Sequence, residues 1–174
     1  MKKNDGVFRK RLEKYEDELR WLYMELYGNG EMFAELIGQM YEYYKARKVS
    51  LKNRDKKREE DPEWFKRNDM LGMMLYIDNF AGTLKGVEEK LDYLKSCNVN
   101  CLHFMPFLDS PKGRSDGGYA VADFRKVNPE LGTMEDLAEL TEKCHKKNMN
   151  VCMDFVMNHT SEDHEWAKKA RQGD

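Results

Sequence analysis

The stretch that decides the fold is Val151-Cys152-Met153-Asp154-Phe155-Val156-Met157-Asn158-His159. Seven residues of mostly apolar type, interrupted by one aspartate and closed by a polar tip, predict a buried strand over 151–157. Upstream, Leu131-Gly132-Thr133 leads into a helix over 134–147, with Thr133 and Asp136 spaced as a capping box and Asn148-Met149-Asn150 at its end. Before that, Val99 to Phe107 (VNCLHFMPF) reads as a second buried strand, Gly86 to Ser96 as a helix, and Met73 to Ile77 as a first strand. A turn-rich loop runs from Asp109 to Gly118, and Val127 begins a short connection. Strand, helix, strand, helix, strand is the alternation of a parallel α/β protein.

The texture before residue 72 differs. Phe8, Leu12, Tyr15, Leu19, Leu22, Tyr23 and Leu26 recur at three- and four-residue steps, and Met32, Phe33, Leu36, Ile37, Met40, Tyr41 and Tyr44 repeat the pattern after Gly28-Asn29-Gly30. These spacings predict two amphipathic helices able to bury their own stripes. Asp61-Pro62 predicts an N-cap and first position of a short helix through Trp64 and Phe65. The expected domains are 1–72, helical, and 73–174, α/β.

Composition narrows the classes. The chain has 174 residues, 40% hydrophobic and 36% charged, with 30 basic against 32 acidic side chains and a net charge of −2. That balance gives no global field for nucleic acid or an anionic membrane. Eight basic residues between Lys45 and Arg58 read as a solvated helix face rather than a polyanion site. No apolar run approaches the roughly 18 residues of a membrane-spanning helix. The basic start lacks an apolar segment behind it, so the expectation is a cytoplasmic protein. Cys97, Cys101, Cys144 and Cys152 do not have the spacing of a zinc site and are expected to be buried, reduced thiols.

Polar residues at strand ends are where a parallel barrel places its chemistry. Asp154 within an apolar strand is costly unless it is paired, so it is expected to support a site. His159 at the strand tip suits either a ligand hydroxyl or a loop carbonyl. In Ser115-Asp116-Gly117-Gly118-Tyr119, a carboxylate and an aromatic ring share a tight turn. Sugars use that combination, and a plain Asp-Gly-Gly turn has the same spelling.

Asp116-Gly117-Gly118-Tyr119-Ala120-Val121-Ala122-Asp123-Phe124 resembles the stretch near the second barrel strand of the α-amylase superfamily (glycoside hydrolase family 13). Asp154-Phe155-Val156-Met157-Asn158-His159 resembles that superfamily's third-strand motif. Within it, the resemblance is strongest to the amylosucrases, through the doubled glycine, Leu102-His103-Phe104-Met105-Pro106, His164-Glu165-Trp166-Ala167 and the helical segment with Leu26-Tyr27-Gly28 and Asp61-Pro62-Glu63-Trp64-Phe65. Trehalose synthases and oligosaccharide α-glucosidases share the barrel motifs.

The resemblance implies an α/β fold: an N-terminal helical domain followed by the first three βα units of a (β/α)8 TIM barrel. It implies that Asp116 lies at the floor of a glucosyl pocket, that Tyr119 stacks on the glucosyl unit and that His159 hydrogen-bonds it, with Asp154 and Asn158 as structural support. It implies sucrose and α-glucan as partners of the complete enzyme, with no cofactor and no metal. The family's nucleophile, acid/base and stabilising carboxylates belong to later strands, so none is expected in this chain. The chain is therefore expected to be an N-terminal fragment, inactive alone, whose open strand edges self-associate. The competing expectation is a non-catalytic helical interaction module or a truncated remnant.

Overall fold

The computed structural model describes residues 5–173. Met1–Asn4 and Asp174, the outer ends of the two expected domains, lie outside the described residues. The chain forms two compact units, Met1–Trp64 and Phe65–Asp174. The boundary expected from sequence, at 72/73, falls where the first strand begins.

The first unit contains α1 (Asp5–Tyr27), α2 (Gly30–Ala46) and α3 (Val49–Glu60). Gly28 takes φ 59° and donates its N–H to Met24 O at 2.9 Å, which stops α1. The Asn29 side chain then accepts from the Glu31 and Met32 amides at 3.0 and 3.1 Å and starts α2. Aromatic contacts knit the two helices together: Phe8 lies 5.3 Å from Tyr41 and 5.5 Å from Tyr44, and Tyr23 lies 5.4 Å from Phe33. Arg47 clasps Asp55 of α3 with two hydrogen bonds of 2.7 and 2.8 Å, which holds that carboxyl below its usual pKa.

The apolar stripes are only partly used. Phe33 is the one fully buried side chain of this unit among the described residues, while Tyr15, Leu22, Leu26, Met32 and Met40 are exposed. A pair of packed helices offers one seam, and each stripe is wider than that seam. The expected helix after Asp61-Pro62 is a single 3-10 turn, Trp64–Lys66, and Asp61 instead caps the end of α3.

The second unit is built on β1 (Gly72–Leu75), β2 (Cys101–Phe104) and β5 (Asn150–Met153), parallel and in the order β1-β2-β5. Between β1 and β2 lie α4 (Ile77–Ala81), α5 (Leu84–Glu89) and α6 (Leu91–Ser96). The helix expected over 86–96 is thus two short pieces, divided where Lys90 adopts φ −92°, ψ 1°. Between β2 and β5 come an antiparallel pair, β3 (Leu108–Asp109) with β4 (Asp123–Val127), and then α7 (Met134–Lys146). The connection expected at Val127 is therefore the end of a strand. A final helix, α8, covers Glu165–Arg171.

Burial follows the pleat. Leu75, Leu102 and Phe104 face the helices and pack with Leu84, Val87, Leu91, Leu94, Leu140 and Met149. On the opposite face, Met74, His103 and Cys152 stand in register across the three strands and are more open. The strands expected over 99–107 and 151–157 are shorter than their apolar runs, because a parallel ladder ends where the chain turns toward its next element. Past Met153 the run is not a buried strand: Phe155 and Met157 are exposed at 49% and 85%. The cysteines differ from one another as well. Cys144 is buried, with its thiol pushed up to about 11 by burial, whereas Cys97 and Cys152 are exposed.

Candidate functional site

The candidate site forms where the three parallel strands end. Each ladder runs one residue past its strand: Met105 donates its N–H to Leu75 O at 3.0 Å, and Asp154 to Phe104 O at 2.9 Å. Asp154 therefore sits just beyond β5 rather than inside a strand, at the carboxyl edge of the sheet. Its carboxylate is paired as its cost demands, for the Tyr119 hydroxyl donates to Oδ2 at 2.6 Å. That hydrogen bond, helped by partial burial, the Asp154 charge and Tyr76, pushes the Tyr119 phenol up to about 12.

The turn that delivers Tyr119 is tight. Asp116, Gly117 and Gly118 all have positive φ, at 49°, 66° and 93°. Gly118 has no room for a side chain, since a Cβ there would stand 2.6 Å from Pro106 O, just past the end of β2. Amides of Gly118 and Ala120 close on Ser115 O at 3.0 and 2.9 Å, and Tyr119 N–H reaches Asp116 O at 3.2 Å. The Asp116 side chain is exposed and makes no hydrogen bond or ion pair among the described residues. It is an acceptor held out on a fixed turn.

Asn158 and His159 are both exposed, with Asn158 Nδ2 3.3 Å from His159 Nδ1. They lie several residues past β5, on the segment between the sheet edge and α8, not on a strand tip. The structure thus joins Tyr119 to Asp154, sets Asp116 on the same turn, and pairs Asn158 with His159. No hydrogen bond links these two groups among the described residues.

Two features were not singled out from sequence. Tyr76, the first residue after β1, places its hydroxyl 3.5 Å from the Cβ position of Gly117. An aromatic at a strand's carboxyl end was the available signal. Arg114 pairs with Glu162 and with Asp163, the latter at 2.8 Å, across 48 and 49 residues of sequence that carry no local cue. Among the described residues, no three His, Cys, Asp or Glu side chains cluster as a metal-ligand set. No helix of the described residues is long and apolar enough to cross a membrane. With Asp154 committed to Tyr119, the side chains left open are one carboxylate, one braced aromatic ring and one imidazole, chemistry able to meet hydroxyls.

A profile of the α-amylase catalytic domain matches residues 27–174. The chain belongs to the α-amylase family. Its curated relatives include trehalose synthase/amylase TreS of Mycolicibacterium smegmatis, 43% identical over 116 residues, which covers 64% of this chain and 19% of that protein. Trehalose-6-phosphate hydrolase of Bacillus subtilis is 46% identical over 92 residues, covering 53% of this chain and 16% of that one. Among solved structures, trehalulose synthase MutB of Pseudomonas mesoacidophila MX-45 superposes with a TM-score of 0.56 at 36% identity, over 62% of this chain and 20% of MutB. The chain spans about a fifth of the length of these relatives. The α-amylase family assignment makes the unit at Phe65–Asp174 part of a TIM-barrel catalytic domain, and the resemblance read from the Asp116 and Asp154 motifs agrees with it.

Proposed function

We propose that the chain supplies the glucosyl-binding side of an α-retaining glycoside hydrolase or transglucosidase acting on small α-glucosides in carbohydrate metabolism. The observation that carries this reading is the 2.6 Å Tyr119–Asp154 contact at the carboxyl edge of the sheet, which braces an aromatic ring beside the outward-turned Asp116. Asp116 accepts sugar hydroxyls, Tyr119 presents its ring to the C–H face of the glucosyl unit, and His159 donates to a further hydroxyl. Asp154 fixes the ring and Asn158 orients the imidazole. The nucleophile and acid/base belong to other strands of the complete enzyme, so the 174-residue chain binds without cleaving.

The finer form of the proposal is amylosucrase-like: sucrose as donor and an α-glucan as acceptor. It draws support from the N-terminal helical segment and from a solved MutB mutant holding the substrate sucrose, 36% identical to this chain. A trehalose synthase or α-glucosidase form is supported by the 43% identity to TreS. Affinities of the 174-residue chain for sucrose, trehalose and maltose, measured by NMR titration with a fructose-release assay alongside, separate the forms. Sucrose binding tightest, with no fructose above the enzyme-free blank, is the expected result. Preference for trehalose favours the second form, and fructose release overturns the non-cleaving assignment.

A further inference from the structure

We propose that Arg114 is a positioning residue of the sugar site: it holds the Asn158–His159 segment in place against the turn that carries Asp116 and Tyr119. Its consequence for binding rests on the glucosyl-site reading above, and its cause rests on ion-pair geometry alone. Arg114 stands two residues before Asp116. One guanidinium nitrogen, Nη1, pairs with Glu162 Oε1, and the other, Nη2, pairs with Asp163 Oδ2 at 2.8 Å. The two targets are consecutive carboxylates, three and four residues after His159.

Those two residues are themselves tied down. Arg171 Nη2 donates to Glu162 O at 2.7 Å, and Lys168 Nζ lies 3.9 Å from Asp163 Oδ1. The neighbouring Ser161 is buried and donates its N–H to Val121 O at 2.8 Å, while the buried His164 ring sits 5.7 Å from Phe124. Residues 161–164 therefore form a fixed block. Between that block and the sheet edge runs Met157–Thr160, exposed throughout and without a hydrogen bond to the 115–120 turn among the described residues. Arg114 is the side chain that joins the Asp116 loop to the block from which this run hangs.

Energetics say where the effect appears. Exposed ion pairs contribute little to global stability. A fork that engages two adjacent carboxylates restricts orientation more than a single pair does. Breaking it is felt in the ordering of residues 157–160 and in ligand affinity rather than in unfolding of the sheet.

Hydrogen exchange on the full 174-residue chain tests this. Arg114→Ala should speed exchange of the hydrogen-bonded amides of Ser161, Asp163 and His164, which anchor the 157–160 run, by about fivefold and leave β2 unchanged. Arg114→Lys, which keeps one charge contact without the fork, should recover part of the protection. Added sodium chloride should speed exchange of the same amides in the unaltered chain and do so less in Arg114→Ala, where only the Lys168 and Arg171 pairs remain. A D-glucose titration forms a separate arm, in which Arg114→Ala should weaken binding by a similar factor. Failure of the unaltered chain to bind D-glucose would count against the glucosyl reading, and the exchange arms would still decide the role of Arg114. Unchanged exchange at Ser161, Asp163 and His164 in Arg114→Ala would overturn the proposal. Loss of protection spreading into β2 would overturn it too, because that marks a stability residue.

Discussion

Tyr119 and Asp154, 35 residues apart in sequence, meet at 2.6 Å, with the phenol donating to the carboxylate where two neighbouring strands end. The contact makes Tyr119 the phenol that resists ionisation, at about 12 against an ordinary 10. The raised value means the contact stabilises the fold fully below pH 10 and is lost as pH rises toward 12. An alkaline titration of tyrosinate absorbance should show a late step that Tyr119→Phe removes and Asp154→Asn moves back toward the ordinary value. All tyrosines ionising together in the folded chain would contradict the contact.

Gly118 carries the turn that delivers Tyr119. Alanine there has to accommodate φ 93° and a Cβ 2.6 Å from Pro106 O. Gly118→Ala should cost roughly 2 kcal/mol in urea unfolding of the α/β unit. Gly113→Ala, also at positive φ but with open space around it, should cost less.

The capping box of α7 was spelled in the sequence and is formed in full. Thr133 Oγ1 accepts from Asp136 N–H at 3.2 Å, and Asp136 Oδ2 accepts from Thr133 N–H at 2.9 Å. Thr133→Ala should destabilise the chain by about 1 kcal/mol. The Thr133 amide holds the Asp136 carboxyl below its usual value, so this support is present at neutral pH and is lost as pH falls through the lowered pKa. Alanine at 133 keeps that amide, so the pH-dependent half is read in Asp136→Ala, whose unfolding midpoint should converge with that of the unaltered chain in strong acid. A constant difference from neutral to acid pH would argue against the reciprocal cap.

Local chemistry was legible, and long-range geometry was less so. The helix stop at Gly28 and the Thr133–Asp136 box each depend on residues within a few positions of one another. That the strands run parallel was legible from alternation, and their order β1-β2-β5 is that of the barrel the resemblance implies. The β3–β4 pair was not, because Asp123-Phe124-Arg125-Lys126-Val127 is polar and its partner strand is only Leu108–Asp109. Strand ends were overdrawn since apolar character continues through Phe155 and Met157 after the ladder has stopped. At the site, the cost of an unpaired Asp154 foretold a partner without naming it. The doubled glycine was legible as a turn, and the reason for it, the approach of Pro106 O, belongs to three dimensions.

The most direct test of the glucosyl site is an amide chemical-shift map of the isotopically labelled 174-residue chain titrated with D-glucose. The account predicts saturable shifts at Asp116–Tyr119 together with Asn158–Thr160, reduced by Asp116→Asn and by His159→Ala by a factor corresponding to about 1–3 kcal/mol. Absence of saturable shifts at Asp116–Tyr119, or shifts confined to the helical unit before Trp64, would contradict it.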